Sequence, residues 1–598
     1  MSPSIKELAR EWLSIDCNPN TRSEILKLLE NEKFEILEER LRRRISFGTA
    51  GLRGKMGAGF SLMNDLTIIQ TSQGLANYIS KAGGKSIVIG HDHRHNSKQF
   101  AEYTATAFIL KGFRVYYVSN RGGGDIPTPF VPFAVDYFKS FGGIMITASH
   151  NPSADNGYKV YWKNGCQIIP PHDKRIQDEI LLNTHPIEGA WNFEAAFDHA
   201  ENASCIHYCM EEVFNLYLQR LTTQVITTKI SPRIRFVYTP LHGVGLKIVT
   251  AACQKIGVDS LISVEEQSRP DPDFRTVEFP NPEEANALDM AIAKADAEGI
   301  DLLLANDPDA DRFSAAVKDN GNWRQLTGNE LGYLFAEYII SQIPREKYSS
   351  TYLLNSTVSS QMISSMAATL GVNYIDTLTG FKWIGNKAID LEKSGYNVPF
   401  AFEEAIGFMF PLIHDKDGIS ALVLFLQMYD HWIKGGTSAV LKLEEGFKKY
   451  GYFKECNGYY RVPSLSSIET VFNKNIRRLR GNGNSGIDKP YPNKLGRFTI
   501  SAWRDLTTGY DSSTSDHLPL LPVDRTTQMI TAVLRSEDED TVRLTVRSSG
   551  TEPKLKVYIE GCSNTEEKAS QVSHEVWKLL ESEWFKTETT GLVSSLSL

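Results

Sequence analysis

Three stretches of the chain repeat one pattern of apolar and polar positions. Each has an apolar strand, a segment with apolar residues at helical spacing, a second apolar strand, and a third that ends in a polar loop. The third strands read GGIMITASHNP, DLLLANDPDADR and VPFAFEEAIG. Short runs rich in β-branched and aromatic residues predict strands, and SKQFAEYTATAFILKG and GLKIVTAACQKIG predict helices. The pattern therefore predicts three α/β units of similar plan.

Strands that alternate with helices imply parallel sheets covered on both faces. Ligands bind such sheets at the carboxyl ends of the strands, which is where all three polar loops fall. We therefore expect the loops to converge on one cleft between domains. The last stretch, TVRLTVRSSGTEPKLKVYIEG, breaks the pattern and predicts a hairpin of two alternating strands.

The predicted fold is three successive mixed-sheet α/β domains of similar plan and a C-terminal α+β domain, arranged around a central cleft. A chain of 598 residues is long enough for about four domains. We place them at residues 1–225, 226–346, 347–450 and 451–598.

Composition adds no further element to this fold, but it excludes some classes of partner. The chain is 41% hydrophobic and 23% charged, with a net charge of -8, which predicts a soluble globular protein without bulk attraction to nucleic acid or membranes. Its seven cysteines are scattered without a C-x-x-C pair, which is typical of reduced thiols and predicts a cytoplasmic protein. We expect no nucleic-acid or membrane partner and favour a monomer, with the oligomeric state left open.

The first polar loop contains Ser149 beside His150. Successive side chains of an extended segment point to opposite sides, so these two are not expected to form a relay. TASHN also lacks the flanking glycines of a nucleophile elbow, so a hydrolase triad is disfavoured. Taken alone, the loop is better explained as a polar turn, and only the other loops change that interpretation.

The second polar loop places Asp307, Asp309 and Asp311 at alternate positions. In an extended segment their carboxylates share a face and repel one another unless a cation lies among them. An EF-hand loop would need Gly and Glu where Arg312 and Lys318 stand, so calcium binding of that type is excluded. Three oxygen ligands suit Mg²⁺, and Arg312 would complement an anionic ligand.

The remaining loops supply groups suited to a phosphorylated sugar. Glu403, in the third loop, can accept hydrogen bonds from sugar hydroxyls, and Lys416 can bind phosphate or donate a proton. In the C-terminal loop, hydroxyls, backbone N–H groups near a glycine and an arginine together suit a phosphate, although an ordinary hairpin turn would explain it as well. Thr379, Gly380 and Lys382 lie in TLTGFKW.

FGTAGLRGKMGAG, near the start of the chain, is a glycine-rich segment with Arg53 and Lys55. It lacks the Walker pattern. We predict a flexible arm that covers the cleft.

A metal site, a serine near it, a phosphate cradle and sugar ligands are together explained by phosphoryl transfer on a phosphosugar.

TASHNP, DPDADR, FEEAIG and RSSGTEP resemble the four signature loops of the α-D-phosphohexomutase superfamily, in the family's order and across nearly the whole chain. FGTAGLRG and NPSADNGYKVYW further resemble the eukaryotic phosphoglucomutase branch that also acts as phosphopentomutase. A glucose-1,6-bisphosphate synthase closely related to that branch has very similar loops.

The resemblance implies an intramolecular phosphotransferase that works through phosphoserine and a bisphosphorylated intermediate, with glucose 1,6-bisphosphate as activator. Ser149 would carry the phosphate, and Mg²⁺ would be held by Ser149, Asp307, Asp309 and Asp311. The implied catalytic residues are Ser149, His150, Arg53, Lys159, Arg312 and Lys416, with His150 and Lys416 as candidates for proton transfer. The implied substrate contacts are Thr379, Gly380, Lys382, Glu403, Ala405, Arg547, Ser548, Ser549, Gly550, Thr551 and Lys556.

One position departs from the family pattern. Many phosphoglucomutases have Glu-Glu-Ser in the sugar loop, whereas Ala405 replaces that serine here. The missing hydroxyl leaves room for a pentose phosphate, and the preferred sugar stays open. Two alternatives remain: a bisphosphate synthase that uses an acyl phosphate donor, and a catalytically silent phosphosugar-binding protein.

Overall fold

The structure, a computed structural model, describes residues 3–49, 51–231, 233–482, 488–549 and 554–596. The chain divides into two compact units. The first comprises Met1–Ile343, Ser350–Leu354 and Gly380–Ala439, and the second comprises Pro344–Ser349, Asn355–Thr379 and Val440–Leu598. The third predicted repeat is thus shared between the two units.

Three short helices at the start of the chain form a small apolar cluster of their own. Ser4 and Glu7 form a capping box that begins the first helix, and Trp12, Ile25 and Leu37 are fully buried in the cluster. These helices span Ile5–Ile15, Pro19–Glu30 and Phe34–Leu41.

The first repeat folds into a six-stranded mixed sheet. Four strands are parallel, as the alternation of strand and helix predicts, and two antiparallel strands lie at one side. In spatial order the strands are Leu52–Lys55, Asp155–Trp162, Gly142–Ile146, Ser86–His91, Arg114–Tyr117 and Ile206–Tyr208. The helices are Asp65–Lys81, Ser97–Leu110, Phe130–Phe138, His172–Leu181, Phe193–Asn202 and Met210–Arg220.

The second repeat has a five-stranded sheet built on the same plan. Three parallel strands are followed by two antiparallel ones. In spatial order the strands are Asn322–Gln325, Phe313–Asp319, Leu302–Asn306, Phe236–Thr239 and Leu261–Ser263. The helices are Gly245–Lys255, Asp289–Glu298 and Gly328–Ser341.

The third repeat contains an antiparallel pair, Asn397–Glu403 with Gly407–Met409. Its other strands are Thr351–Ser356 and Asn373–Thr377, and its helices are Met362–Leu370, Phe381–Lys393, Gly418–Lys434 and Ala439–Tyr450.

The C-terminal region has a nine-stranded sheet in which the predicted hairpin, Thr541–Ser548 with Lys554–Ser563, is antiparallel. Alternation puts Val542, Leu544 and Val546 on the face that forms the core. The other strands of this sheet are Tyr452–Glu455, Gly458–Arg461, Lys494–Leu495, Phe498–Asp505, Tyr510–Asp511, Met529–Arg535 and Val593–Leu596. Gly481–Asn482 and Asp488–Lys489 form a separate two-stranded sheet. The helices are Leu465–Glu469, Glu566–Leu579 and Thr587–Thr590.

The predicted fold class is confirmed: three α/β domains with mixed sheets precede a C-terminal domain. The prediction of a flexible arm is wrong for Leu52–Lys55, which forms an antiparallel edge strand against Asp155–Trp162. The hydrogen-bonded register fixes Arg53 opposite Gly157, because backbone pairing outweighs the freedom that the flanking glycines would allow. Over the described residues, no helix has both the length and the apolar character needed to cross a membrane.

Candidate functional site

Ser149 lies in the hairpin loop that connects a central strand of the first sheet to its antiparallel neighbour. Its backbone is in the left-handed region with φ 55°, and its side chain is 3% exposed. Its Oγ donates to Asp307 Oδ2 at 2.8 Å and lies 3.2 Å from His150 Nδ1, while its N–H donates to Thr147 Oγ1. The expectation that Ser149 and His150 point apart is therefore wrong, because it assumed an extended backbone. The left-handed backbone orients Oγ toward both groups, and this conformation is strained for a serine.

Arg94 holds this loop in place, although none of the sequence motifs includes it. Its guanidinium donates to the carbonyl oxygens of Ser149 and Asn151, each at 2.6 Å, and to those of Pro152 at 2.9 Å and Asp155 at 3.3 Å. The side chain is buried. The available signal was the polar run GHDHRH after a neighbouring parallel strand, because carboxyl ends of parallel strands meet at one edge of a sheet.

The three aspartates form one buried cluster in the hairpin loop that ends the central strand of the second sheet. Asp307 and Asp309 are fully buried and Asp311 is 1% exposed. One oxygen from each lies within 4.8 Å of the others. Within the described residues, Asp309 Oδ1 and Asp311 Oδ1 have no hydrogen-bond partner. Buried carboxylate oxygens left without partners are what a bound cation would require.

Two lysines offset part of this negative charge. Lys159 Nζ donates to Asp309 Oδ2 at 2.7 Å and to Asp311 Oδ2 at 2.8 Å, and Lys416 Nζ lies 3.4 Å from Asp311 Oδ2. Burial alone would raise the pKa of Asp309, but the charge and hydrogen bond of Lys159 outweigh it and lower that pKa. Burial, then the charges of Asp309 and Asp311, raise the pKa of Asp307.

The donor set fits Mg²⁺, a hard cation that prefers carboxylate oxygens. Asp307, Asp309 and Asp311 would hold the ion, with Ser149 beside them. When bound, Mg²⁺ would supply positive charge that stabilises phosphoryl oxygens.

Arg312 and His150 bring further polar groups to the same place. The Arg312 N–H donates to Asp307 Oδ1 at 3.0 Å. The positive charge of Arg312, followed by burial and the charge of Arg53, lowers the pKa of His150 to about 2. The imidazole is therefore neutral while Ser149 carries no phosphate, and it can then hydrogen-bond to Ser149 Oγ. Arg53 is exposed, with Nη1 3.4 Å from Asn151 Oδ1.

The third polar loop is a tight turn between two antiparallel strands, and Ala405 lies in that turn. Glu403 Oε1 accepts a hydrogen bond from the Gly380 N–H at 2.7 Å, so the structure brings these two predicted sugar contacts together. Lys382 Nζ instead donates to Thr49 Oγ1. Gly407 packs closely against Lys416, since a Cβ at 407 would lie 2.4 Å from Lys416 Cδ.

The backbone around Lys416 is fixed by both of its neighbours. Asp415 accepts from the Lys416 N–H at 2.8 Å and from Gln167 Nε2 at 3.1 Å. Asp417 caps the following helix and accepts from the hydroxyl of Tyr217, which lies 2.8 and 2.7 Å from its two oxygens. These contacts restrict where the Lys416 side chain begins.

The second unit carries the remaining predicted contacts. Arg547 Nη2 donates to Tyr558 Oη at 3.1 Å, and Lys556 pairs opposite Arg547 in the hairpin. The backbones of Ser548 and Ser549 continue the pairing, the first to Gln528 and the second to Lys554. Thr379 Oγ1 is buried without a hydrogen-bond partner in the part of the chain that the structure describes. The predicted contacts Gly550 and Thr551 lie outside the described residues.

Comparisons with known proteins identify the family. The chain matches the four domains of the phosphoglucomutase/phosphomannomutase family: α/β/α domain I over residues 44–185, domain II over 215–321, domain III over 327–450, and the C-terminal domain over 514–578. The chain therefore belongs to this family, as its four loops predicted. It is an enzyme of the phosphosugar mutase class.

Individual proteins resemble the chain over most of its length. The phosphoribomutase of Saccharomyces cerevisiae is 49% identical, covering 99% of this chain and 98% of that protein. The glucose 1,6-bisphosphate synthase of Homo sapiens is 38% identical over 97% and 93%. The crystal structure of the Paramecium phosphoglucomutase parafusin, in an open form, matches with a TM-score of 0.62 at 17% identity, covering 91% of this chain and 95% of that one. That structural match supports the fold alone.

Proposed function

We propose that this enzyme moves a phosphoryl group between C1 and C5 of a pentose phosphate, and between C1 and C6 of a hexose phosphate. The observation that supports this proposal most directly is the 2.8 Å contact of Ser149 Oγ with Asp307, beside carboxylate oxygens without partners among the described residues. A serine hydroxyl is a weak nucleophile, but its phosphate ester beside a metal site is a ready phosphoryl donor.

In the proposed cycle Ser149 is phosphorylated in the resting enzyme. A substrate hydroxyl attacks the phosphorus, the bond from phosphorus to Oγ breaks, and a sugar bisphosphate forms, such as glucose 1,6-bisphosphate. The bisphosphate then turns end over end, and its other phosphoryl group returns to Ser149. Lys159 and Arg312 surround the transferring group, and Lys416 is the candidate for proton transfer. Arg53 and His150 complete the proposed set.

Binding in two opposed orientations needs strong contacts to phosphate and permissive contacts to the ring. Arg547, Ser549 and Lys556 are proposed to bind the phosphate that is not reacting, and Glu403 the ring. An unmade hydrogen bond costs about 1–3 kcal/mol only where it leaves a buried group unpaired. Because Ala405 offers no hydroxyl, a pentose should lose little there. The similarity to a phosphoribomutase supports the same preference.

Mg²⁺ dependence and cytoplasmic location belong to this proposal. The first rests on the aspartate cluster, and the second rests on the sparse, unpaired cysteines. The predicted domain boundaries, the absence of nucleic-acid and membrane partners, and the monomeric state stay predictions.

The deciding experiment compares ribose 1-phosphate, deoxyribose 1-phosphate and glucose 1-phosphate as substrates of the purified protein. We expect turnover of all three, with the pentoses at least comparable to glucose. Ser149→Ala should abolish turnover and remove the single phosphate detected by intact mass, whereas Ser153→Ala, in the same loop, should change neither. Inert ribose 1-phosphate beside good turnover of glucose 1-phosphate would reject the pentose preference. Ala405→Ser should shift catalytic efficiency toward glucose 1-phosphate.

Synthesis of a sugar bisphosphate is the second candidate, because the human synthase also matches this chain over nearly its whole length. It predicts poor turnover of every sugar phosphate until an acyl phosphate donor is added. A silent phosphosugar-binding protein would carry no phosphate on Ser149 and would turn over nothing with or without a donor.

A further inference from the structure

Two arginines of the C-terminal sheet hold one carboxylate of the third repeat, within the second unit. Arg543 Nη2 lies 2.7 Å from Asp376 Oδ2, and Arg504 Nη2 lies 2.9 Å from the same oxygen. All three side chains are between 15% and 17% exposed. Asp376 lies shortly before Thr379, a residue predicted to contact the sugar phosphate.

Further contacts fasten the same segment. Both arginines also donate to Thr357 Oγ1, and the Thr357 N–H donates to the Thr377 carbonyl at 2.8 Å. Leu378 packs on a small apolar cluster formed by Leu506, Leu521 and Met529. Residues 376–378 are therefore held by ion pairs, backbone pairing and apolar contact together.

The strand that carries Arg543 also carries Arg547. Alternation along Thr541–Ser548 places Arg543, Thr545 and Arg547 on one face, opposite the apolar core face. At about 3.3 Å per residue, the two arginine Cα atoms are roughly 13 Å apart along one strand. One rigid strand thus bears both the group that holds Asp376 and the arginine proposed to bind phosphate.

The composition of this cluster is not explained by a contribution to folding stability alone. Two guanidinium groups meet one carboxylate, and Arg504 Nε and Arg543 Nε are buried without hydrogen-bond partners within the described ranges. Buried ion pairs commonly contribute little net stability compared with apolar residues of similar volume, but they can enforce one arrangement. The cluster fits a positioning role better than a purely stabilising one.

We propose that Asp376, Arg504 and Arg543 are positioning residues that fix Thr379 relative to Arg547. Thr379 and Arg547, the proposed contact to the distal phosphate, then belong to one rigid element. This inference rests on the proposed function, because it assumes that Thr379 and Arg547 bind a sugar phosphate. The three residues act through others and do not themselves contact substrate.

The test measures kcat and KM for ribose 1-phosphate, and the Kd of ribose 5-phosphate by calorimetry, in Asp376→Asn, Arg543→Gln and the double variant. We expect KM and Kd to rise about tenfold, because displacement of a binding group by roughly 1 Å costs that much or more. Intact mass should still show one phosphate on Ser149. The double variant should match the single ones, because either change breaks the same cluster.

Arg497→Met is the matched control, since Arg497 makes a bidentate pair with Glu575 at 2.8 and 2.9 Å in the same unit. It should leave KM and Kd unchanged. If Arg543→Gln does not fold, Arg543→Lys replaces it in the test, because lysine keeps the positive charge. In that case KM should rise less for Arg543→Lys than for Asp376→Asn.

Unchanged KM and Kd in folded cluster variants, or an equal rise in Arg497→Met, would overturn the inference. Failure of the proposed function looks different. A wild-type protein that binds ribose 5-phosphate without mutase turnover rejects the function, while the Kd comparison still decides the positioning role. A wild-type protein that neither binds nor turns over rejects both.

Discussion

Replacing Arg94 with lysine should impair catalysis although Arg94 touches none of the reacting atoms. Its guanidinium contacts four carbonyl oxygens of the loop that carries Ser149. A lysine ammonium has three donors without the planar fork, so Arg94→Lys keeps the charge but not the four contacts.

The contact distances set the expected magnitude. The two shortest contacts are 2.6 Å, and their donor is a charged guanidinium. Hydrogen bonds to charged groups contribute about 1.5–3 kcal/mol each, so losing two removes about 3 kcal/mol or more from the held loop. The left-handed backbone of Ser149 stores about 1–3 kcal/mol, which the relaxed loop would release. A loss of about 3 kcal/mol corresponds to roughly a hundredfold decrease in kcat/KM.

The assay is mutase turnover of ribose 1-phosphate, with the phosphate on Ser149 measured by intact mass. Arg94→Lys should lower kcat/KM about a hundredfold and slow rephosphorylation of Ser149 by sugar bisphosphate. Arg22→Lys is the control, because Arg22 also donates to backbone carbonyls, those of Leu13 and Asp16, among the N-terminal helices. If Arg94→Lys retains wild-type kcat/KM, the guanidinium does not hold the loop in its active conformation.

Three further outcomes are expected. Excess chelator should abolish turnover and Mg²⁺ restore it, and Asp309→Asn should raise the Mg²⁺ concentration needed; full activity in chelator would assign the carboxylates another task. Gly407→Ala should lower kcat with little change in melting temperature, because its Cβ displaces Lys416; an unchanged kcat would argue against a role for that lysine. Burial raises the pKa of Glu560 from 4.5 to about 7, so the folded state binds this proton more tightly, and the free energy of unfolding should fall by about 3 kcal/mol as pH rises through that interval. Denaturant melts of Glu560→Gln should lack this component, and a matching pH profile in both proteins would contradict it.

The repeats were predictable because local patterning encodes them. Apolar runs bounded by polar loops specify central strands such as Gly142–Ile146 and Leu302–Asn306, and both form as predicted. Mixed sheets were predicted, but not which segment would form the antiparallel strand after each run. NPSADNGYKVYW mixes polar and apolar residues, yet Asp155–Trp162 folds back antiparallel, because its pairing partner is set by the sheet rather than by its own composition.

The same limit applies to the site. The three aspartates lie together, as their alternate spacing predicted, but they do so in a turn with Ala310 in the left-handed region and not in the extended segment that the prediction assumed. No sequence pattern predicts the left-handed backbone of Ser149. That conformation depends on Thr147 and Arg94, and the second comes from the loop after another strand of the sheet. Strained positions are expected at functional sites, where local preference is overridden by surrounding contacts.

The cluster around Asp376 is a set of contacts that the repeat pattern does not predict. Asp376 directly precedes TLTGFKW, a segment that belongs to the third repeat. Its partners Arg504 and Arg543 are more than a hundred residues further along the chain and sit in strands with ordinary alternation. Arg504, Arg543 and residues 355–379 all belong to the second unit, and there the Asp376 carboxylate contacts both guanidinium groups. Ion pairs between residues this far apart in sequence leave no signal in the repeat pattern, so the contacts of Asp376 could not be predicted from the repeat to which it belongs.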